Sequence, residues 1–215
     1  MMPMQRLKAI LPYLVIKIIL VSLLWSCKAS EVRSLNDKET YKIINSLLHT
    51  YFSKNKAAYL HPEIIENKNY IISDFKKERG YYGACTKTLF EKVFTEEEFT
   101  TYKDQKHQVT EWNYKYIENP EVITKLKLKT PFAKKRFESY KKSAKDKYDL
   151  LDRKYMAWSI ENSGSLLRLS LPFLSNNGSY AAVFMSKAHY GTFVWILEKE
   201  DNEWKVVCNM QLSSY

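Results

Sequence analysis

The chain has 215 residues, with 34 lysines and arginines against 24 aspartates and glutamates, a formal net charge of +10, and 45% hydrophobic residues. That length and apolar content suit one domain, and no internal repeat divides it further. Its 5 glycines leave little room for a Walker loop or a dinucleotide-binding glycine pattern, and neither motif is present.

Met1 to Lys8 carry Arg6 and Lys8 and no acid, and they lead into the apolar stretch Ala9 to Trp25. This is the basic-then-apolar order of an export signal. Lys17 leaves Ile18 to Trp25 as the uncharged heart of the stretch, short of the ~20 apolar residues that a transmembrane helix needs. The run ends at Leu24-Trp25-Ser26-Cys27, which resembles the bacterial lipobox: an aliphatic residue three before the cysteine and a small one directly before it. Trp25 departs from that pattern, where a small or medium residue is usual. The sequence therefore predicts a lipoprotein signal peptide over residues 1–26, cleavage before Cys27, and acylation of Cys27, palmitate included. The alternatives are an uncleaved anchor and an ordinary signal peptide. Single acyl chains hold only marginally, so stable anchoring requires several. Loss of residues 1–26 removes Arg6, Lys8 and Lys17 and no acid, and the remainder stays basic. Such a surface suits anionic lipid, lipopolysaccharide phosphates or acidic glycans, and it equally suits plain solubility.

Residues 27–35 read as a tether and residues 36–215 as the domain. Asn36 and Glu39 form a capping pair ahead of Tyr41, Ile44, Leu48, Tyr51 and Phe52, which recur at helical spacing; that helix should end between Ser53 and Lys56. From Tyr59 to Cys85 the pattern is poor, because Pro62 forbids a helix through His61 and apolar residues come only in short groups; one short strand is expected. Phe94-Thr95-Glu96-Glu97-Glu98-Phe99 is a capping box with a hydrophobic staple, opening a second helix at Glu96 that should stop near His107. Trp112, Tyr114 and Tyr116 alternate with Asn113 and Lys115, as in a short strand or extended segment.

Residues 125–154 hold twelve lysines and arginines against Glu138, Asp146, Asp149 and Asp152. Phe137, Tyr140, Ala144, Tyr148, Leu151 and Tyr155 lie near helical spacing, which predicts a solvated amphipathic helix; the functional alternative is a cationic patch for phosphate-bearing polymers or lipid headgroups.

Four strands follow: Leu166 to Leu171, Tyr180 to Ala188, Thr192 to Lys199 and Glu203 to Gln211. Asn176-Asn177-Gly178, Tyr190-Gly191 and Glu200-Asp201-Asn202 supply the turns. The two middle strands are apolar on both faces and should be covered on both. Trp204, Val206, Cys208 and Met210 should share one face of the last strand. The expected fold is α+β, N-terminal helices packed on a C-terminal four-stranded antiparallel meander.

Leu169 to Ala181, Leu197 to Val207 and Phe94 to Gln105 together resemble uncharacterised lipoproteins common in Bacteroidetes, over roughly half of the chain beyond the leader. These motifs are mostly strand, turn and cap grammar, so their specificity is moderate. Members of that group often carry a Cys-Gly-rich loop after the strand matching Tyr180 to Met185, where this chain has Lys187-Ala188-His189-Tyr190-Gly191. The resemblance brings no catalytic residues. Lys28-Ala29-Ser30-Glu31 lacks the aspartate of an inner-membrane retention signal, which favours the outer membrane as the address.

With Cys27 taken by lipid, Cys85 and Cys208 form an even set that an oxidising exterior would pair as a disulfide; two buried free thiols are the alternative. His49, His61, His107 and His189 show no metal-ligand spacing, so no metal or other cofactor is expected. No Gly-x-Ser-x-Gly elbow appears, and the candidate carboxylate pairs are accounted for by capping and solvation. The leading expectation is a non-enzymatic binding or interaction domain anchored to a membrane through Cys27, its partner an anionic glycan, lipopolysaccharide or envelope protein rather than nucleic acid. Lys187, His189 and Tyr190 are its candidate ligand surface. A small envelope hydrolase with a cleft between helices and sheet, and a structural subunit of an envelope complex, are the alternatives.

Overall fold

A computed structural model of the chain describes residues 37–53, 57–65, 85, 87–95, 97–98 and 110–213. The leader, Cys27, the tether, Asn36 and the body of the helix expected to run to His107 lie outside the described residues. Met1–Asp37 and Lys38–Tyr215 are separate units, and the architecture below belongs to the second.

Helix α1 spans Asp37–Phe52. Ile43, Ile44, Leu47, Leu48 and Tyr51 are all buried, the i, i+3, i+4 stripe that drives an amphipathic helix onto a sheet. Glu39 accepts hydrogen bonds from Lys199 Nζ (2.7 Å) and Trp204 Nε1 (2.8 Å), which ties the start of α1 to the sheet. Burial works against its charge, but those two bonds hold its carboxyl below the usual glutamate range.

The sheet contains β1 (Ala58–Leu60), β2 (Val122–Ile123), β3 (Ser165–Leu169), β4 (Phe173–Leu174), β5 (Tyr180–Lys187), β6 (Gly191–Glu200) and β7 (Glu203–Ser213). Their order is β2-β1-β3-β5-β6-β7, with β4 also paired to β5. The α+β class holds. The four-stranded meander does not describe the sheet, because β1 adds in parallel to β3 and β2 in parallel to β1, while all other pairings are antiparallel. The first expected C-terminal strand also stops early, at Leu169. Pro172 has no N–H to give, and the Ser170 hydroxyl takes the Phe184 N–H at 2.9 Å before β4 resumes the pairing with β5.

Alternation sorts β5 and β6 between two cores. Val183, Met185, Trp195 and Leu197 lie under α1, whereas Ala182, Phe184, Val194 and Ile196 face Phe90 and Phe94, at and just beyond helix α2 (Lys87–Val93). The final strand does not keep the single face expected of it. Ile196 pairs with Cys208 but Leu197 pairs with Val206, so Val207 is an extra residue in a β-bulge. That one-residue shift sends Trp204 and Val206 to the α1 side, and Cys208 to the α2 side with Met210 packed against the same core. There Cys208 is joined by a disulfide to Cys85, 123 residues away, with Cα atoms 5.2 Å apart.

Thr95 and Glu98 form the capping box reciprocally: the Thr95 hydroxyl takes the Glu98 N–H at 3.1 Å, and Glu98 takes the Thr95 N–H. Glu98 also accepts from the Asn176 N–H at 2.7 Å, which pins the turn before β5.

Two other expectations are corrected. Tyr114–Tyr116 is a 3-10 turn rather than a strand, because the Asn113 side chain takes the Lys115 N–H (3.2 Å) and curls the chain. Residues 125–154 are not one helix: α3 spans Pro131–Lys141 and α4 spans Lys147–Ser159. Thr130 caps α3 with Pro131 in its first turn, and Asp146 caps α4 by accepting from Tyr148 N (2.8 Å) and Asp149 N (2.9 Å). Tyr155 and Trp158 of α4 pack with Tyr59, Leu126 and Leu166, covering the β1–β3 part of the sheet.

Candidate functional site

Of the residues singled out above, Lys187 and Tyr190 are brought together and His189 is not. Alternation along β5 puts Lys187 on the α1 side of the sheet, after Val183 and Met185, where the last turn of α1 presents Tyr51. Its Nζ lies 4.2 Å from the centre of the Tyr190 ring and 5.5 Å from that of Tyr51. Among the described residues no carboxylate pairs with this half-buried amine. Burial alone pushes its pKa below the usual lysine value, and the two ring faces are the compensation it receives.

The scaffold around the amine is fixed. The β5–β6 turn uses left-handed backbone at His189 (φ 68°) and Gly191 (φ 109°). Tyr190 donates its N–H to Lys187 O (3.0 Å) and accepts at its own carbonyl from Gln211 Nε2 (2.7 Å), so the ring stands out from a braced turn with 56% exposure. His189 is exposed on the same turn, with no hydrogen bond to another described residue.

Two residues that the sequence did not assign to the site complete it. Tyr51 is buried, and its phenol is pushed up to about 12, by desolvation first of all, so it stays protonated at neutral pH. The Tyr51 ring meets Trp195 edge-on, with centroids 6.4 Å apart. The indole N–H of Trp195 is buried and has no hydrogen-bond partner. Trp195 had only the signature of a core strand, so nothing local marked it. Tyr51 thus bridges an unpaired ammonium and an unpaired indole N–H. Both are donors, and a buried donor without an acceptor costs roughly 1–3 kcal/mol. The arrangement suits a ligand that brings acceptors, above all an anion, together with a flat or ring-shaped body for the aromatic faces.

A second polar cluster lies where α4 crosses β1 and β3. The His61 ring is fully buried; its Nδ1 accepts from the Glu63 N–H (3.3 Å) and its Nε2 sits 3.6 Å from Asp152 Oδ1. Arg168 bonds the other Asp152 oxygen and lies 3.7 Å from Glu63 Oε2. Burial, then the Arg168 charge, hold the imidazole pKa down near 4 despite Asp152, so it is neutral at pH 7. With Nδ1 taken by the backbone and Nε2 turned to Asp152, neither nitrogen is placed to take a substrate proton; the cluster joins three elements. Among the described residues, no three His, Cys, Asp or Glu side chains are grouped to hold a metal.

No protein-family model, curated protein or solved structure matches this chain. The donor-rich end of the sheet is therefore interpreted from its own chemistry.

Proposed function

We propose that the chain is an envelope lipoprotein, held on a membrane by lipid on Cys27, whose α+β domain binds and does not catalyse. Its ligand is anionic and carries rings, as an acidic glycan does, and it seats at Lys187, Tyr190 and Tyr51. One observation carries this reading: the Lys187 ammonium lies over two tyrosine rings, and among the described residues no carboxylate neutralises it. An incoming carboxylate or phosphate would supply that partner, and charge-assisted bonds of this kind contribute about 1.5–3 kcal/mol. The exposed Tyr190 ring offers the face on which a sugar can stack. The leader, the lipobox-like Leu24 to Cys27 and the basic composition support the address, and the Bacteroidetes lipoprotein resemblance agrees with it.

Titrating the protein with uronic-acid oligosaccharides and with neutral ones of equal length, followed by intrinsic tryptophan fluorescence, tests the ligand class. Acidic oligosaccharides should bind and neutral ones should not. Lys187→Met, which keeps the buried stem and removes the charge, should weaken binding by about 10- to 100-fold. Equal binding of both classes, or an unchanged affinity in Lys187→Met, would overturn the proposal.

A further inference from the structure

The most basic stretch of the chain folds into an antiparallel helical hairpin, and its open end is apolar. Glu161, just beyond α4, accepts from the backbone N–H of Lys129 (2.7 Å) and Thr130 (3.0 Å), which locks the end of α4 to the start of α3. Three large apolar residues stand in solvent at that end: Phe132 at 61%, Met156 at 52% and Ile160 at 49% exposure. Each helix buries one small residue completely, Ala133 of α3 and Ala157 of α4, as the facing side of a close helix pair would. Phe132 immediately precedes the first alanine and Met156 the second. In an antiparallel pair the two helices turn in opposite senses when viewed from one end, so both preceding residues fall on the same side of the hairpin.

The chain entering this end carries Lys125, Lys127 and Lys129, all exposed; Lys125 and Lys127 have no carboxylate partner among the described residues, while Lys129 feels the charge of Glu161. Within the hairpin Lys141 pairs with Glu138 and Arg153 with Asp149, and Lys147 pairs with Glu111 outside it, whereas Lys134 and Lys135 near the start of α3 are exposed with no carboxylate partner among the described residues. Unneutralised lysines thus flank Phe132 along the chain, Lys125 and Lys127 before it and Lys134 and Lys135 after it. Apolar side chains that enter the acyl boundary, ringed by lysines that meet headgroup phosphates, are how a helix lies on an anionic bilayer.

We infer that the Phe132–Met156–Ile160 end of the α3–α4 hairpin docks on an anionic lipid surface. This contact is separate from the Lys187 site and from acylation of Cys27, which would only bring the surface near. Region-resolved amide hydrogen exchange on the full chain tests it, with phosphatidylcholine vesicles that contain or lack phosphatidylglycerol. Residues 129–136 and 156–162 should exchange several-fold more slowly on the anionic vesicles alone, and high salt should reverse the effect. The double variant Lys125→Glu, Lys127→Glu, altered only at exposed positions outside the helices and away from Glu161, should lose most of the protection while its circular dichroism is unchanged. Equal protection on both vesicle types, or none on either, would overturn the inference. So would protection by soluble polyglutamate but not by anionic vesicles, which would point to an acidic protein instead. Because the readout is confined to the hairpin, it stays decisive whether or not Cys27 carries lipid and whether or not acidic sugars bind.

Discussion

His61 shows how one buried side chain sets a pH limit on the fold. Its imidazole is neutral in the native state, with a pKa near 4, against about 6.5 in an unfolded chain. The folded form therefore binds fewer protons than the unfolded form between those values, and stability falls as pH is lowered through that window. Above pH 6.5 and below pH 4 this group contributes no slope. Denaturant melts should show a loss of up to about 3 kcal/mol across the window. His61→Gln should be less stable at pH 7 and should flatten that slope; an unchanged slope would mean that other groups set it. None of this was legible in the sequence, where His61 was only a residue beside Pro62. Its neighbours Asp152 and Arg168 are distant in the chain and meet it only after α4 packs across β1 and β3. Lys187 and Tyr190 were legible as a cation and a ring on a turn, whereas Tyr51 and Trp195 had the pattern of core residues, and the fold alone joins them to the amine.

Among the elements, β7 is the most instructive. Strict alternation put Cys208 and Trp204 on one face, and the extra residue Val207 separates them. Deletion of Val207 removes the bulge and makes Val206 and Cys208 successive residues of a regular strand, so Trp204 and Val206 keep the α1 side and Cys208 the α2 side. Thiol labelling under denaturing, non-reducing conditions checks this directly. The unaltered chain and the deletion variant should both label at neither Cys85 nor Cys208, and both should keep a cross-link worth about 4–5 kcal/mol by chain-entropy estimates. A deletion variant that labels at both cysteines would contradict the assigned faces. Bulges leave no local signal, since Val206-Val207-Cys208 is as good a strand sequence with one as without. The long strands β5 and β6 were legible because alternation and turn residues agree along them. Asp201 and Asn202 both take left-handed backbone in the tight turn that follows β6. Segments β1, β2 and β4, two or three residues each, were not: the partners of β1 and β2 lie far away in the chain, and β4 is too short to show alternation. The division of α3 from α4 was written in Thr130-Pro131 and Asp146, but aromatic spacing that ran on through Ala144 masked it.

At the scale of the whole molecule, separate devices point the same way. The Cys85–Cys208 disulfide fits the oxidising exterior of the proposed envelope address. Among the described residues no helix is long and apolar enough to cross a membrane. The proposed attachment rests on the leader and on Cys27, with the α3–α4 hairpin as a second contact. Two weak membrane signals together hold far better than either alone. A tether of residues 27–35 would then leave the Lys187 site to meet its ligand close to the surface on which the domain is held.

Intact-mass and peptide mass spectrometry of the protein purified from its native cells tests this account at its root. The mature chain should begin at Cys27 and carry a diacylglyceryl thioether, with further acylation of its amino group. A chain that retains residues 1–26, or one whose Cys27 is a free thiol, would contradict it.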